Sequence, residues 1–116
     1  MTAPLVHAGP TSFAVTTAVS AGGCVVTVRG DVDATTAPDL RACLLAALDR
    51  PDTAEVEVDL SRVTFLDSAG LTVLVVGHQA AQRAGRTVLV RSGAARAVTR
   101  PLALTGLSTV LTVVDA

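Results

Sequence analysis

Between Glu55 and Val90 the hydrophobic period of the chain changes twice, and few folds accommodate that change. Glu55-Val56-Glu57-Val58-Asp59-Leu60 alternates strictly, as a strand with one buried face does. After a short loop, Leu71, Leu74, Val75, His78 and Ala81 fall on one side of a helix that opens at Ser68-Ala69-Gly70 and stops at Gly85. Thr87-Val88-Leu89-Val90 is then a continuous, mostly apolar β-prone run, the mark of a strand buried on both faces. Strand, helix and strand in this order predict a right-handed crossover between parallel strands.

The flanking segments extend this unit. Residues 12–19 alternate through Phe13, Val15, Thr17 and Val19; Gly22-Gly23 marks a turn, and Cys24 to Arg29 reads as a second strand, so the two should pair as a hairpin. Gly30 to Thr36 reads as a loop carrying Asp31 and Asp33. Thr36 is a helix cap, with Pro38 in the first turn and Asp39 placed as in a capping box. Ala37, Leu40, Leu44, Ala47 and Leu48 share the buried face of that helix, and Arg50-Pro51-Asp52 ends it. Ser61 to Asp67 reads as a loop. Ser92 is expected to cap a third helix over 94–104, which Pro101 should kink or split. Gly106 closes it, and 109–114 is a last strand. The order β-β-α-β-α-β-α-β predicts an α/β fold with a mixed β-sheet and helices packed against it. One domain spans 1–116, with 1–10 as a flexible N-terminal tail.

Composition narrows the function. There are two Phe and no Trp or Tyr, so 19 Val, 14 Leu and 20 Ala must build the core, and aromatic cages or base-stacking platforms are excluded. All nine basic residues are Arg, balanced by ten acidic ones for a net charge of −1. A basic patch for nucleic acid is therefore not expected, and the absence of Lys removes P-loop and Schiff-base chemistry. The mean hydropathy is high, +0.57. Yet the longest central apolar stretch, Leu71 to Gly77, falls far short of the ~18 residues of a spanning helix, so no direct membrane insertion is expected. Met1 to Pro10 lacks the basic and apolar regions of a signal peptide, and a cytoplasmic location follows as the expectation. Cys24, Cys43, His7 and His78 fit no disulfide framework or metal spacing and read as packing or surface residues, so no cofactor is expected.

Catalysis is not expected either. His78 lies ten residues beyond Ser68 on the same helix, ~15 Å along its axis, too far to deprotonate the serine. Asp31 and Asp33 could pair, but nothing beside them resembles a sugar or metal site. The informative stretch is Asp59 to Leu71, where a strand, a short loop and a helix N-terminus follow one another. Ser68 stands at that N-terminus. Its plain role is a helix cap, worth about 1 kcal/mol. A second role is a switch: a helix N-terminus tolerates a phosphate, which would add about −1.5 to −2 charge beside Asp67.

Three stretches resemble the anti-sigma factor antagonists, the stand-alone STAS domains of bacterial partner switching. They are Gly30-Asp31-Val32-Asp33-Ala34-Thr35-Thr36-Ala37, Val58-Asp59-Leu60 through Phe65-Leu66-Asp67-Ser68-Ala69-Gly70-Leu71, and Leu104-Thr105-Gly106-Leu107. The resemblance runs from about Phe13 to Val114 and implies a single STAS domain. It implies that Ser68 is the phosphorylation site; Ala69 stands where the family often has a second hydroxyl. It also implies a cycle. The unphosphorylated chain binds an anti-sigma factor that is itself a serine kinase holding ATP, and so frees a sigma factor. Phosphorylation of Ser68 breaks the complex, and a metal-dependent Ser/Thr phosphatase resets it. Asp31, Asp33, Thr36, Asp67, Ser68, Ala69, Gly70 and Leu71 are then partner-facing, with a capping role for Thr36 equally open. The family also contains accessory subunits of lipid-transport ABC complexes, and a non-phosphorylated scaffold is a further alternative. Two departures are Pro101 in the third helix and an end at Ala116, where many members add another helix.

Overall fold

The computed structural model describes residues 13–115. The expected tail at 1–10 and His7 lie outside them. Five strands form one sheet in the order β1-β2-β3-β4-β5: β1 (Ala14–Ser20), β2 (Gly23–Val32), β3 (Glu55–Leu66), β4 (Thr87–Arg91) and β5 (Thr112–Val114). β1 is antiparallel to β2, and every other neighbouring pair is parallel. Three helices connect the parallel strands: α1 (Ala37–Leu48), α2 (Ser68–Ala84) and α3 (Arg96–Leu104). This is the expected element order, a single α/β domain with a mixed sheet.

The hairpin forms as its glycines dictate. Gly22 takes φ 79°, which suits a residue without a Cβ, and Ser20 pairs with Gly23 across the turn. Val26, Val28, Val56, Val58, Leu60, Val88 and Val90 face one side of the sheet and are buried there with Leu40, Leu44 and Leu74 of the helices. Aliphatic side chains of similar size fill this layer, and Phe13 is the one aromatic in it.

β2 and β3 run further than their alternation suggests. Residues 30–32 and 61–66, both expected in loops, pair as strand: Gly30 with Val63, Asp31 with Phe65, Val32 with Leu66. Two register shifts, between Thr27 and Arg29 and between Gly30 and Asp31, place extra residues on β3. Each such bulge flips the phase of in and out, so the buried positions run Val56, Val58, Leu60 and then Val63 and Leu66. A strand whose period breaks twice looks like a loop to any reading based on alternation.

Three further expectations are corrected. β4 is not buried on both faces: Val88 and Val90 are buried, but Thr87 is exposed and Leu89 half-buried, because the second face of the sheet lacks a full helical cover there. Across that face Arg91 Nε donates to Glu57 Oε2 at 2.8 Å, with Asp59 opposite Arg91 in register. Ser92 does not cap α3. It is fully buried at the end of β4, where its N–H donates to the Val114 carbonyl at 2.8 Å, and Ala95 begins the helix. Pro101 lies inside α3 without splitting it. The last strand shortens to Thr112–Val114 because 107–109 coil into a 3-10 turn.

The buried stripe of α2 is Gly70, Val73, Leu74, Gly77 and Ala81, whereas Leu71, Val75 and His78 are only half-buried. The helix is turned from the expected face because two glycines belong to its contact surface. A Cβ on Gly77 would stand 2.4 Å from Leu44 Cδ2, so α1 and α2 meet where a side chain is missing. Gly85, at φ 69°, ends α2 in the left-handed conformation, as expected of a glycine stop.

Candidate functional site

The parallel strands β2 and β3 end side by side, and the loops that leave them enter α1 and α2. This carboxyl edge is where open α/β sheets gather their functional groups. Two hydrogen bonds hold the two exits together. Thr64 Oγ1 donates to Asp31 Oδ1 at 2.6 Å, and the Asp67 N–H donates to the Val32 carbonyl at 3.2 Å.

The exit from β2 is built around Asp33. Its Oδ1 accepts the N–H groups of Thr35 (2.9 Å) and Thr36 (3.2 Å), and its carbonyl accepts that of Ala37 at 2.7 Å. Thr36 occupies the cap position of α1 but makes no side-chain cap bond. Its hydroxyl instead accepts from the Asp33 N–H (3.0 Å) and donates to the Asp31 carbonyl (2.8 Å). The expected capping box is thus replaced by a closed turn, because the Asp33 N–H donates to the hydroxyl oxygen that would otherwise accept from the helix end. Asp31, Asp33 and Thr36 shape this loop, and Ala34 and Thr35 form its exposed tip.

The exit from β3 differs in one decisive detail. Asp67, not Ser68, is the cap of α2. Asp67 is extended, with φ −104° and ψ −169°, and its Oδ1 accepts the N–H groups of Ala69 (2.9 Å) and Gly70 (3.4 Å). Ser68 is then the first helical residue. It is exposed, and its hydroxyl makes no hydrogen bond with the described residues. A carboxylate one residue earlier does the work that a lone serine would otherwise do.

A stability prediction follows from this exchange. Asp67→Ala should lower unfolding free energy by about 1 kcal/mol, whereas Ser68→Ala should stay within about 0.5 kcal/mol of wild type. Urea denaturation of both variants decides it. A larger loss for Ser68→Ala than for Asp67→Ala would return the cap to Ser68.

The neighbouring residues divide by exposure. Ala69 and Leu71 are half-buried, and Gly70 is buried under the helix, where a Cβ would meet Leu66 Cδ1 at 2.4 Å and Val32 Cγ1 at 2.8 Å. Gly70 therefore lets α2 approach the two strand ends. An open groove of about 340 Å³ runs between the first turns of the helices, with Ala37, Pro38 and Arg41 on one wall and Ala69, Thr72 and Val73 on the other. On the sheet side, the second bulge of β3 turns Phe65 outward, 48% exposed. Phe65 and Arg41 are surface features that sequence reasoning passed over. Phe65 was hidden in an apparent loop, and Arg41 carried only the signal of lying one turn after Pro38.

The remaining chemistry-bearing residues stand apart. Cys24 is buried against Thr53, with Sγ 3.7 Å from Oγ1. Burial, aided by the Asp39 carboxylate, pushes the Cys43 thiol up, away from the reactive thiolate. Among the described residues no group of three or more His, Cys, Asp or Glu converges as a metal site. No helix among them is long and apolar enough to cross a membrane.

The chain that builds this edge matches a family along nearly its whole length. The family described as "Mlab, STAS domain" matches residues 15–114. This chain belongs to the STAS domain family. An anti-sigma factor antagonist from Mycobacterium paratuberculosis is similar at 30% identity over 93% of this chain and 90% of that one, with a TM-score of 0.77. The anti-sigma factor antagonist SpoIIAA in its unphosphorylated form shares the fold at 14% identity, covering 90% and 88% of the two chains, with a TM-score of 0.67. The Bacillus cell fate determinant SpoIIAA in its phosphorylated form does so at 16% identity and 90% coverage of each, with a TM-score of 0.68. STAS domains of transporters share this fold too.

Proposed function

We propose that this STAS domain is an anti-sigma factor antagonist switched by phosphorylation of Ser68. In its unmodified state it binds an anti-sigma factor that is a serine kinase, and so releases a sigma factor. The kinase holds the ATP; this chain contributes the hydroxyl and the surface around it. A Ser/Thr phosphatase restores the unmodified state, and the cycle runs in the cytoplasm. The chain acts as a binding module and catalyses nothing itself.

The observation that carries this reading is the release of Ser68 from capping. A hydroxyl committed to the helix end would have to leave its N–H partner to be phosphorylated. Here Asp67 holds the N–H groups, and Ser68 is exposed one residue inside the helix. A phosphate can be added and removed there with the helix intact, while the charge of the surrounding surface changes by nearly two units. The groove beside it and Phe65 supply apolar area for a partner, and the clasped loops hold that surface rigid.

Affinity capture from the native lysate with the wild-type chain, followed by incubation of the eluate with ATP, tests this. The expected result is a small histidine-kinase-like ATPase that places one phosphate on the bait, located at Ser68 by mass spectrometry. Recovery of transporter subunits without phosphorylation would favour the second reading, an accessory subunit of a lipid-transport ABC complex. The description of the matching family and the transporter domains of this fold make that the outcome to watch for.

A further inference from the structure

The groove beside Ser68 is lined almost entirely by uncharged side chains, and Arg41 is the exception. Arg41 is exposed and makes no ion pair with the described residues. Two other arginines are committed elsewhere. Arg86 donates to the Leu48 carbonyl at 2.5 Å and to the Arg50 carbonyl at the far end of α1, and Arg91 holds Glu57. Ser68 and Thr72 lie four residues apart, so they share one face of α2, and Thr72 lines the wall opposite Arg41. Ser68 thus stands one residue before Ala69 and one turn before Thr72, at the end of the groove that Arg41 lines from α1.

We propose that Arg41 is the in-chain counter-ion of phosphorylated Ser68: once the phosphate is present, the guanidinium crosses the groove and pairs with it. This rests on the reading of Ser68 as the modified residue and adds how the modified state is held. Guanidinium and phosphate match in geometry and charge, and a long side chain in an open groove can reorient at little cost. The charged groups closest to Ser68 along the two strand exits are carboxylates: Asp67 at the cap and Asp33 in the adjoining loop. They repel the new anion, and Arg41 is the one cation among the residues that line the groove. Phosphorylation then alters the groove twice. It adds an anion at the mouth and withdraws the one cation that an acidic group of a partner could meet.

The test is a ³¹P NMR titration of the full chain with phosphoserine installed at position 68 by an expanded genetic code. A neighbouring cation favours the dianion, which holds the second phosphate pKa below its value without that cation. Arg41→Ala should therefore raise this pKa by about 0.2–0.7 unit relative to the wild-type phosphoprotein. Arg41→Lys, which keeps the charge, should recover part of the difference. Arg62→Ala removes an exposed arginine of β3 and should leave the curve in place. Molar salt should shrink the gap between wild type and Arg41→Ala. Coincident curves for those two, or an equal shift with Arg62→Ala, would overturn the pairing. The isolated phosphoprotein carries this readout, so such a failure leaves the capture result standing, and a failed capture leaves the titration interpretable.

Discussion

Ser68→Asp should fold as wild type does and lose its partner. The position is the first of α2, where a carboxylate lies near the positive end of the helix and gains about 0.3–1 kcal/mol. Repulsion from Asp67 next door offsets part of this, so the net change in stability should be within about 0.5 kcal/mol. Binding is a different matter. The serine directly precedes Ala69, which lines the groove, so a partner docked there would remove it from water. An unpaired charge buried at an interface costs about 3–5 kcal/mol, which corresponds to a loss of more than 100-fold in affinity. Calorimetry with the captured kinase measures this directly, with circular dichroism to verify the fold. Wild-type affinity in a folded Ser68→Asp protein would remove the switch and leave a scaffold. Ser68→Ala supplies the contrast: it should bind like wild type, resist phosphorylation and, with Asp67 capping the helix, unfold like wild type.

Gly70→Ala should be among the most destabilising single-methyl changes in the chain. Its added Cβ would overlap Leu66 Cδ1 at 2.4 Å and Val32 Cγ1 at 2.8 Å, and both partners are buried with their backbones paired across β2 and β3. Neither side chain can swing into solvent, so α2 must lift or the strand ends must part. Overpacking of this kind costs about 1–3 kcal/mol, or roughly 4–8 °C of Tm for each kcal/mol in a domain of this size. The higher helix propensity of Ala returns at most about 1 kcal/mol. A double mutant separates the mechanisms. Leu66→Ala opens a cavity where the new methyl would sit, so Leu66→Ala/Gly70→Ala should be more stable than the sum of the single losses by about 0.5–3 kcal/mol. Strict additivity would place the strain elsewhere. The same lift would move Ser68, so Gly70→Ala should also weaken partner binding although Gly70 is buried.

Both predictions concern a candidate site whose position at the strand exits is legible in the motifs and whose local hydrogen bonding is not. Asp31, Asp33, Thr36, Asp67 and Ser68 stand together at the edge of the sheet, as their motifs suggest. The cap was misplaced by one residue because Ser and Asp are equally good caps, and adjacent candidates are separated only by which one takes the extended backbone. Arg41 and Phe65 were missed for a related reason. Exposure beside a site depends on which face of an element packs, and that is settled by contacts distant in sequence.

Local chemistry alone determined the elements and their order. Two periods of hydrophobicity, a di-glycine turn and a glycine stop specify the hairpin, α1, α2 and β4, because each depends on neighbours within a few residues. The tertiary structure decided where the strands end, which face α2 buries and which residue caps it. β2 and β3 lengthen because they pair with each other through two bulges, and no residue within either strand signals its partner's register. The face of α2 turns because Gly70 and Gly77 admit Leu66, Val32 and Leu44, so the closest packing lies where the apolar pattern shows a gap. Ser68 is left free because Asp67, anchored to Val32 across the strands, reaches the helix N–H groups first.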